Sequence, residues 1–279
     1  MTFLEFDKKD WLHKKILVDN DKEKIQCLVN ALFLDPNDGY VWHELGDRYA
    51  DLDNQTSARY CWLMSEKSYL ERLEKFKEDS KKYKKDSSHL LFMDVNTTEI
   101  TKVISNLYFN LGSIYDNLEK YSLSGESFQK SFKLNNENSD ALYYGARAFR
   151  TCKKFDKAIE LFLKHIVLTG DYHSHYYLGI IKHEQNDIRN SLGHFWACIE
   201  SAGNDAESCI FKHLSFWMLG NYKKAKYYLL KAHKLEPEDP QRCLDLIEFL
   251  EEYGNKENTN KYYNLLHKMH KKKKLEEIR

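Results

Sequence analysis

YFNLGSIYDNLEKYSLSGESFQKSFKLNN, Tyr108 to Asn136, reads as two short amphipathic helices with a turn between them. With Gly112 as origin, Tyr108, Leu111 and Tyr115 fall on one helical face. After the turn at Glu119–Lys120, Ser124, Phe128 and Ser131 carry a second face. A single helix hairpin cannot bury both stripes, so it needs copies of itself on either side.

The copies are present. Gly112 has counterparts at Gly46, Ala146, Gly179 and His213, and from Gly112 onward the spacings are 34, 33 and 34 residues. Twelve residues past each origin sit Ala58, Ser124, Ala158, Ser191 and Ala225, always small. Sixteen past it sit Trp62, Phe128, Phe162, Phe195 and Leu229, always large. The small position lets two helices approach, and the large one plugs the gap between hairpins.

A period near 34 residues with two helices per period resembles the tetratricopeptide repeat family, over roughly residues 5 to 273. The family's leucine followed by a small residue stands at Leu45–Gly46, Leu111–Gly112 and Leu178–Gly179, and its closing proline at Pro36 and Pro237. The resemblance implies an all-α, right-handed superhelical solenoid of about seven helix-turn-helix repeats. The expected layout is a degenerate repeat over 1–38, repeats over 39–72, 105–138, 139–171, 172–205 and 206–239, and a degenerate repeat with a C-terminal capping helix over 240–279.

Three departures carry expectations. His213 stands where a small residue belongs and should spread its helices or redirect a side chain. Lys182 stands where an aromatic belongs, its stem able to lie on apolar surface. Gly46 and Gly112 are 66 residues apart, but an origin at Ser80 puts Phe92 at the small position and Asn96 at the large one, so no hidden repeat is read there. Residues 73–104 are instead an insertion, with an extended helix, the apolar segment HLLFMDV as a loop or short element, and Asn96–Glu99 as a capping box opening the next helix.

Composition agrees with helix. Three prolines and eleven glycines in 279 residues are too few for many tight turns, and 31% charged residues beside 14% aromatics suit helices with one aromatic and one solvated face. Formal net charge is zero, with 43 basic and 43 acidic residues, so no overall field points to nucleic acid or anionic membrane. The six cysteines stand singly, without a C-x-x-C pair, and read as core residues of a protein in a reducing compartment, cytoplasmic or nuclear. No apolar run is long enough to span a bilayer, so no membrane insertion is expected.

Motifs of catalysis are lacking. His43–Glu44 and His183–Glu184 begin like H-E-x-x-H, but Asp47 and Asp187 occupy the second histidine's place. His173 and His175 form an H-x-H whose side chains diverge on a helix. The glycines form no phosphate-cradling pattern, and Lys81–Lys85 and Lys271–Lys274 read as solvated helix ends. The expectation is a protein without enzymatic activity, cofactor or bound metal.

If the family's geometry holds, the first helix of each repeat lines a concave groove. The groove positions include Tyr40, His43, Asp47, Phe109, Tyr143, Arg147, Arg150, Tyr176, Ile210, Leu214 and Trp217. Aromatic and arginine side chains in a concavity are the usual anchors of binding. The expected function is a protein-protein interaction scaffold or adaptor holding a partner peptide or helix, with an acidic residue on Arg147 or Arg150 and an apolar end at Ile210, Leu214 and Trp217. The alternative is RNA binding, since aromatic and arginine groups also stack on bases. The family's clamp for acidic chaperone tails is not reproduced, because Asp47, Ser113, Arg147, Ile180 and Leu214 occupy the position of its asparagine.

Overall fold

The computed structural model describes residues 7–18, 20–85, 93–253 and 259–276, and these form fourteen α-helices. They are α1 (Lys8–Leu17), α2 (Asp21–Leu34), α3 (Gly39–Asp51), α4 (Gln55–Lys85), α5 (Met93–Asn117), α6 (Tyr121–Leu134) and α7 (Asp140–Thr151). There follow α8 (Phe155–Thr169), α9 (Tyr172–Glu184), α10 (Ile188–Ser201), α11 (Ala206–Met218), α12 (Tyr222–Leu235), α13 (Pro240–Tyr253) and α14 (Thr259–Glu276). Helices α1 and α2, α3 and α4, α5 and α6, α9 and α10, α11 and α12, and α13 and α14 pack as hairpins, in an all-α chain of about seven helix-turn-helix units. The chain divides into two compact units, residues 1–158 and 159–279.

The origin glycines explain why these helices pair. A Cβ on Gly46 would lie 2.5 Å from Cδ1 of Trp62, one on Gly112 2.8 Å from the Phe128 ring, and one on Gly179 2.7 Å from the Phe195 ring. Each is closer than van der Waals contact, so only a hydrogen fits under the ring. The small residues twelve along and the large ones sixteen along are all buried. In the sixth hairpin the bulk is redistributed: His213 replaces glycine and Leu229 replaces the ring. His213 is buried, its Nδ1–H donates to the Ala225 carbonyl at 3.0 Å, and its ring meets Phe249 edge-on at 5.3 Å.

The turns repeat as closely as the helices. Asp53, Glu119, Lys153 and Asn186 have φ near +60°, and Gly220 has φ +70°. Each lies seven residues past its origin. The next residue's N–H closes back on the helix, Asn54 to Tyr49, Lys120 to Tyr115, Lys154 to Phe149, Asp187 to Lys182 and Asn221 to Phe216, at 2.7–2.8 Å. This is the Schellman ending, in which a left-handed residue lets the chain satisfy the last carbonyls. At the other end, Asp38, Asp171 and Asp205 cap α3, α9 and α11 by accepting from first-turn N–H groups.

In the first unit, α1 to α3 enclose Trp11, Leu28, Ala31, Val41 and Leu45, while α4 and α5 bury Tyr69, Leu73, Leu107, Leu111 and Ile114. In the second, α11 to α14 bury Phe216, Leu229, Leu246, Phe249 and Tyr262. The extra residues between the second and third hairpins lengthen helices: α4 has 31 residues and α5 has 25, against 13 in α3 and 14 in α6. One expectation is corrected here. Asn96–Glu99 does not open a helix, because α5 already begins at Met93. Nothing in Met93–Asp94–Val95 breaks a helix, and an acidic residue at its start favours one. Residues 89–92 of HLLFMDV lie outside the described residues, and the rest belongs to α5.

Candidate peptide-binding surfaces

In the first unit the predicted groove positions divide between internal bonds and open surface. Asp47 Oδ1 accepts from Trp62 Nε1 at 2.9 Å and from Asn117 Nδ2 at 3.0 Å. His43 Nε2 lies 3.4 Å from Asn117 Nδ2 and 3.7 Å from Asp47 Oδ2, and burial holds this histidine below its ordinary pKa. The two side chains therefore lock α3 to α5. Glu44, beside His43, pairs with Lys15 at 2.5 Å, so the His-Glu pair does not act together.

Phe109 is half-buried, edge-on to Phe128 at 5.1 Å and Tyr144 at 6.0 Å. Tyr143 meets Tyr144 edge-on at 5.4 Å, and the exposed Arg147 guanidinium lies 5.7 Å from the Tyr143 ring centre. Arg150 is half-buried on the same helix, and Asp116 of α5 attracts Arg147. Phe109 and Tyr143 thus join a ring cluster with Phe128 and Tyr144, so they contribute to packing as well as to the surface. Tyr40, 59% exposed, goes elsewhere: it edges a polar cavity of about 690 Å³ beside Arg72, Lys75, Phe76 and Asn110. The sequence reading missed that cavity, whose far wall is the long α4.

In the second unit Tyr176 is half-buried, edge-on to Phe211 at 5.2 Å and tilted against Phe195 at 5.9 Å. His173 bonds Asp171 at 2.6 Å through Nδ1 and Glu207 at 3.2 Å through Nε2. Burial lowers its pKa, but the two carboxylates outweigh burial and raise it overall. His175 points away from His173, its Nδ1 3.3 Å from Nδ1 of His194. Among the described residues no three His, Cys, Asp or Glu side chains cluster to hold a metal.

Ile210, Leu214 and Trp217 come together. They line a pocket of about 230 Å³ between α11 and α13, closed by Phe249 and Tyr253, with His213 at its base. Trp217 is 36% exposed and edge-on to Tyr253 at 6.5 Å. Asp245, Glu248 and Glu252 of α13 edge the same pocket. The sequence reading missed these carboxylates, although their spacing of three and four residues in DLIEFLEE puts them on one helical face.

No helix among the described residues is long and apolar enough to cross a membrane. A family profile described as tetratricopeptide repeat matches residues 105–138, the hairpin of α5 and α6. No curated protein sequence matches the chain significantly. Among solved structures, the chain is similar to a thermophilic TPR protein of Thermus thermophilus, at 19% identity and TM-score 0.49, covering 59% of this chain and 91% of that one. It is similar to PilF of Pseudomonas aeruginosa at 14% identity and TM-score 0.48, covering 88% and 97%. It is also similar to YrrB, titled a TPR protein with an unusual peptide-binding site, at 16% identity and TM-score 0.39, covering 75% and 92%. The helix hairpins repeat every 33 or 34 residues, and the hairpin of α5 and α6 is a tetratricopeptide repeat by its match to the family profile.

Proposed function

We propose that the chain is a scaffold or adaptor that holds a segment of a partner protein on the groove faces of its hairpins. The observation that carries this reading is the pocket between α11 and α13, where Ile210, Leu214 and the partly exposed Trp217 converge. At about 230 Å³ it is smaller than the roughly 300–1,000 Å³ of small-molecule sites, and its size suits protruding side chains. Exposed apolar surface gathered in one concavity marks an interaction site more than isolated apolar residues do. In the first unit, Tyr143, Arg147 and Arg150 offer a separate contact for an acidic or aromatic group of a partner. Binding on these surfaces would bring partners together without chemistry. RNA fits the second unit's pocket poorly, because phosphates would meet three carboxylates there. The six thiols are unpaired, in keeping with a cytoplasmic or nuclear site of action.

The test is affinity capture from the native cell with mass spectrometry, comparing the wild-type chain with Arg147→Glu, Trp217→Ala and their combination. Proteins captured by the wild type should be lost with one or both substitutions while circular dichroism stays unchanged. An unaltered set of captured proteins with the double variant would overturn the proposal.

A further inference from the structure

The pocket between α11 and α13 carries charge of one sign. Asp245, Glu248 and Glu252 edge it, and no lysine or arginine lines it among the described residues. The three carboxylates lie on one face of α13 over a rise of about 10 Å. Asp245 is partly met by Arg242, whose Nη1 is 3.7 Å away, but Arg242 also reaches Glu236 and Asp239 through Nε at 3.2 and 3.5 Å. Glu248 is exposed and has no cation within ion-pair distance among the described residues. Glu252 is exposed, and its carboxylate raises the pKa of the neighbouring Tyr253 hydroxyl. A low-dielectric apolar floor beside such a rim strengthens the field that an incoming group meets.

Resting on the reading of this pocket as a docking site, we infer that its occupant is a basic amphipathic segment: an apolar side chain in the pocket, with lysine or arginine about one helical turn to either side. The apolar group is stripped of water against Leu214, Trp217 and Phe249, and the cations face Glu248 and Glu252. An acidic segment with the same apolar anchor would set like charges against each other at the rim. The contact foreseen from sequence at Arg147 and Arg150 has the opposite sign, so the two units select for different chemistry.

The experiment uses the full chain and two fluorescently labelled synthetic helical peptides with identical leucine and phenylalanine anchors, one bearing lysines and the other glutamates. The lysine peptide should bind at least about tenfold tighter at low ionic strength, and its advantage should shrink as salt screens the rim. Glu248→Lys with Glu252→Lys should reverse the order of the two peptides. Both positions are exposed, and circular dichroism checks that this variant stays helical. Trp217→Ala should weaken the lysine peptide in the wild-type background. If both peptides bind equally and both depend on Trp217, the charge assignment falls and the docking site stands. A lysine-peptide preference indifferent to the Glu248→Lys and Glu252→Lys changes would also overturn it. If neither peptide binds in a Trp217-dependent way, the docking site and its charge preference fall together.

Discussion

Trp62 donates its indole N–H to Asp47 across 2.9 Å, so the residue that plugs the second hairpin is tied to a carboxylate expected to face a ligand. Asn117 of the third hairpin donates to the same oxygen at 3.0 Å. Asp47 therefore serves cohesion in the first unit. Asp47→Ala should destabilise the chain by about 1–3 kcal/mol, because it leaves the indole N–H without its acceptor. Urea unfolding measures this, and an unchanged midpoint would contradict it.

Two glycines of the second unit should respond in opposite directions. Gly179→Ala forces a methyl to within 2.7 Å of the Phe195 ring and should cost about 1–3 kcal/mol. Gly193 lies inside α10 with nothing near its missing side chain, so Gly193→Ala should add about 1 kcal/mol through helix propensity alone. Paired thermal unfolding curves decide the question, and a shared direction would refute the account of close packing.

Glu119 and Lys153 adopt left-handed backbone at φ 60° and 59°, where a Cβ crowds the following carbonyl. Glu119→Gly and Lys153→Gly should each stabilise by about 1 kcal/mol, even though glycine usually weakens a chain. Chemical denaturation of each single variant is the measurement. A loss of stability would mean that the side chains contribute more than the strain costs.

His213 should make the chain acid-sensitive. Burial holds its pKa below the ordinary 6.5, and neither the Ala225 carbonyl nor the Asp245 carboxylate facing it restores that value. The unfolded chain then takes up a proton first as pH falls. Stability from the neutral ring is complete above 6.5 and declines as pH drops below it. His213→Asn keeps a donor for the carbonyl and cannot titrate here, so it should flatten the loss of stability between about pH 7 and pH 5. His43, His175, His194 and His233 are also lowered by burial and should keep part of the slope. His173, raised by Asp171 and Glu207, acts in the opposite sense, adding stability at low pH that is lost as pH rises through its folded pKa.

What the sequence made legible is what repeats in it. The alternation of small and large residues, Ala58 with Trp62 through Ala225 with Leu229, marks the hairpins because the same contact recurs with the same residue types. The turns recur in geometry but not in composition. Asp53, Glu119, Lys153, Asn186 and Gly220 share a backbone conformation, yet Glu119 and Lys153 are residues that rarely adopt it. The internal engagement of His43 and Asp47 was hidden because Asn117 lies 74 and 70 residues away. Ile210, Leu214 and Trp217 are groove positions by the family resemblance, and they line one pocket. Their carboxylate neighbours lie on α13, in the degenerate last repeat, where the repeat pattern assigns no groove positions.

The left-handed turn residues have a consequence for how this chain can change over generations. Substitutions that retune a ligand-facing surface tend to reduce stability, and proteins tolerate them only above a threshold. Here glycine at any of several hairpin ends, none of them lining the pocket of α11 and α13, would offset such losses. If the pocket is the docking site proposed above, specificity and robustness rest on different residues, and the lineage can explore new partners without first rebuilding its frame.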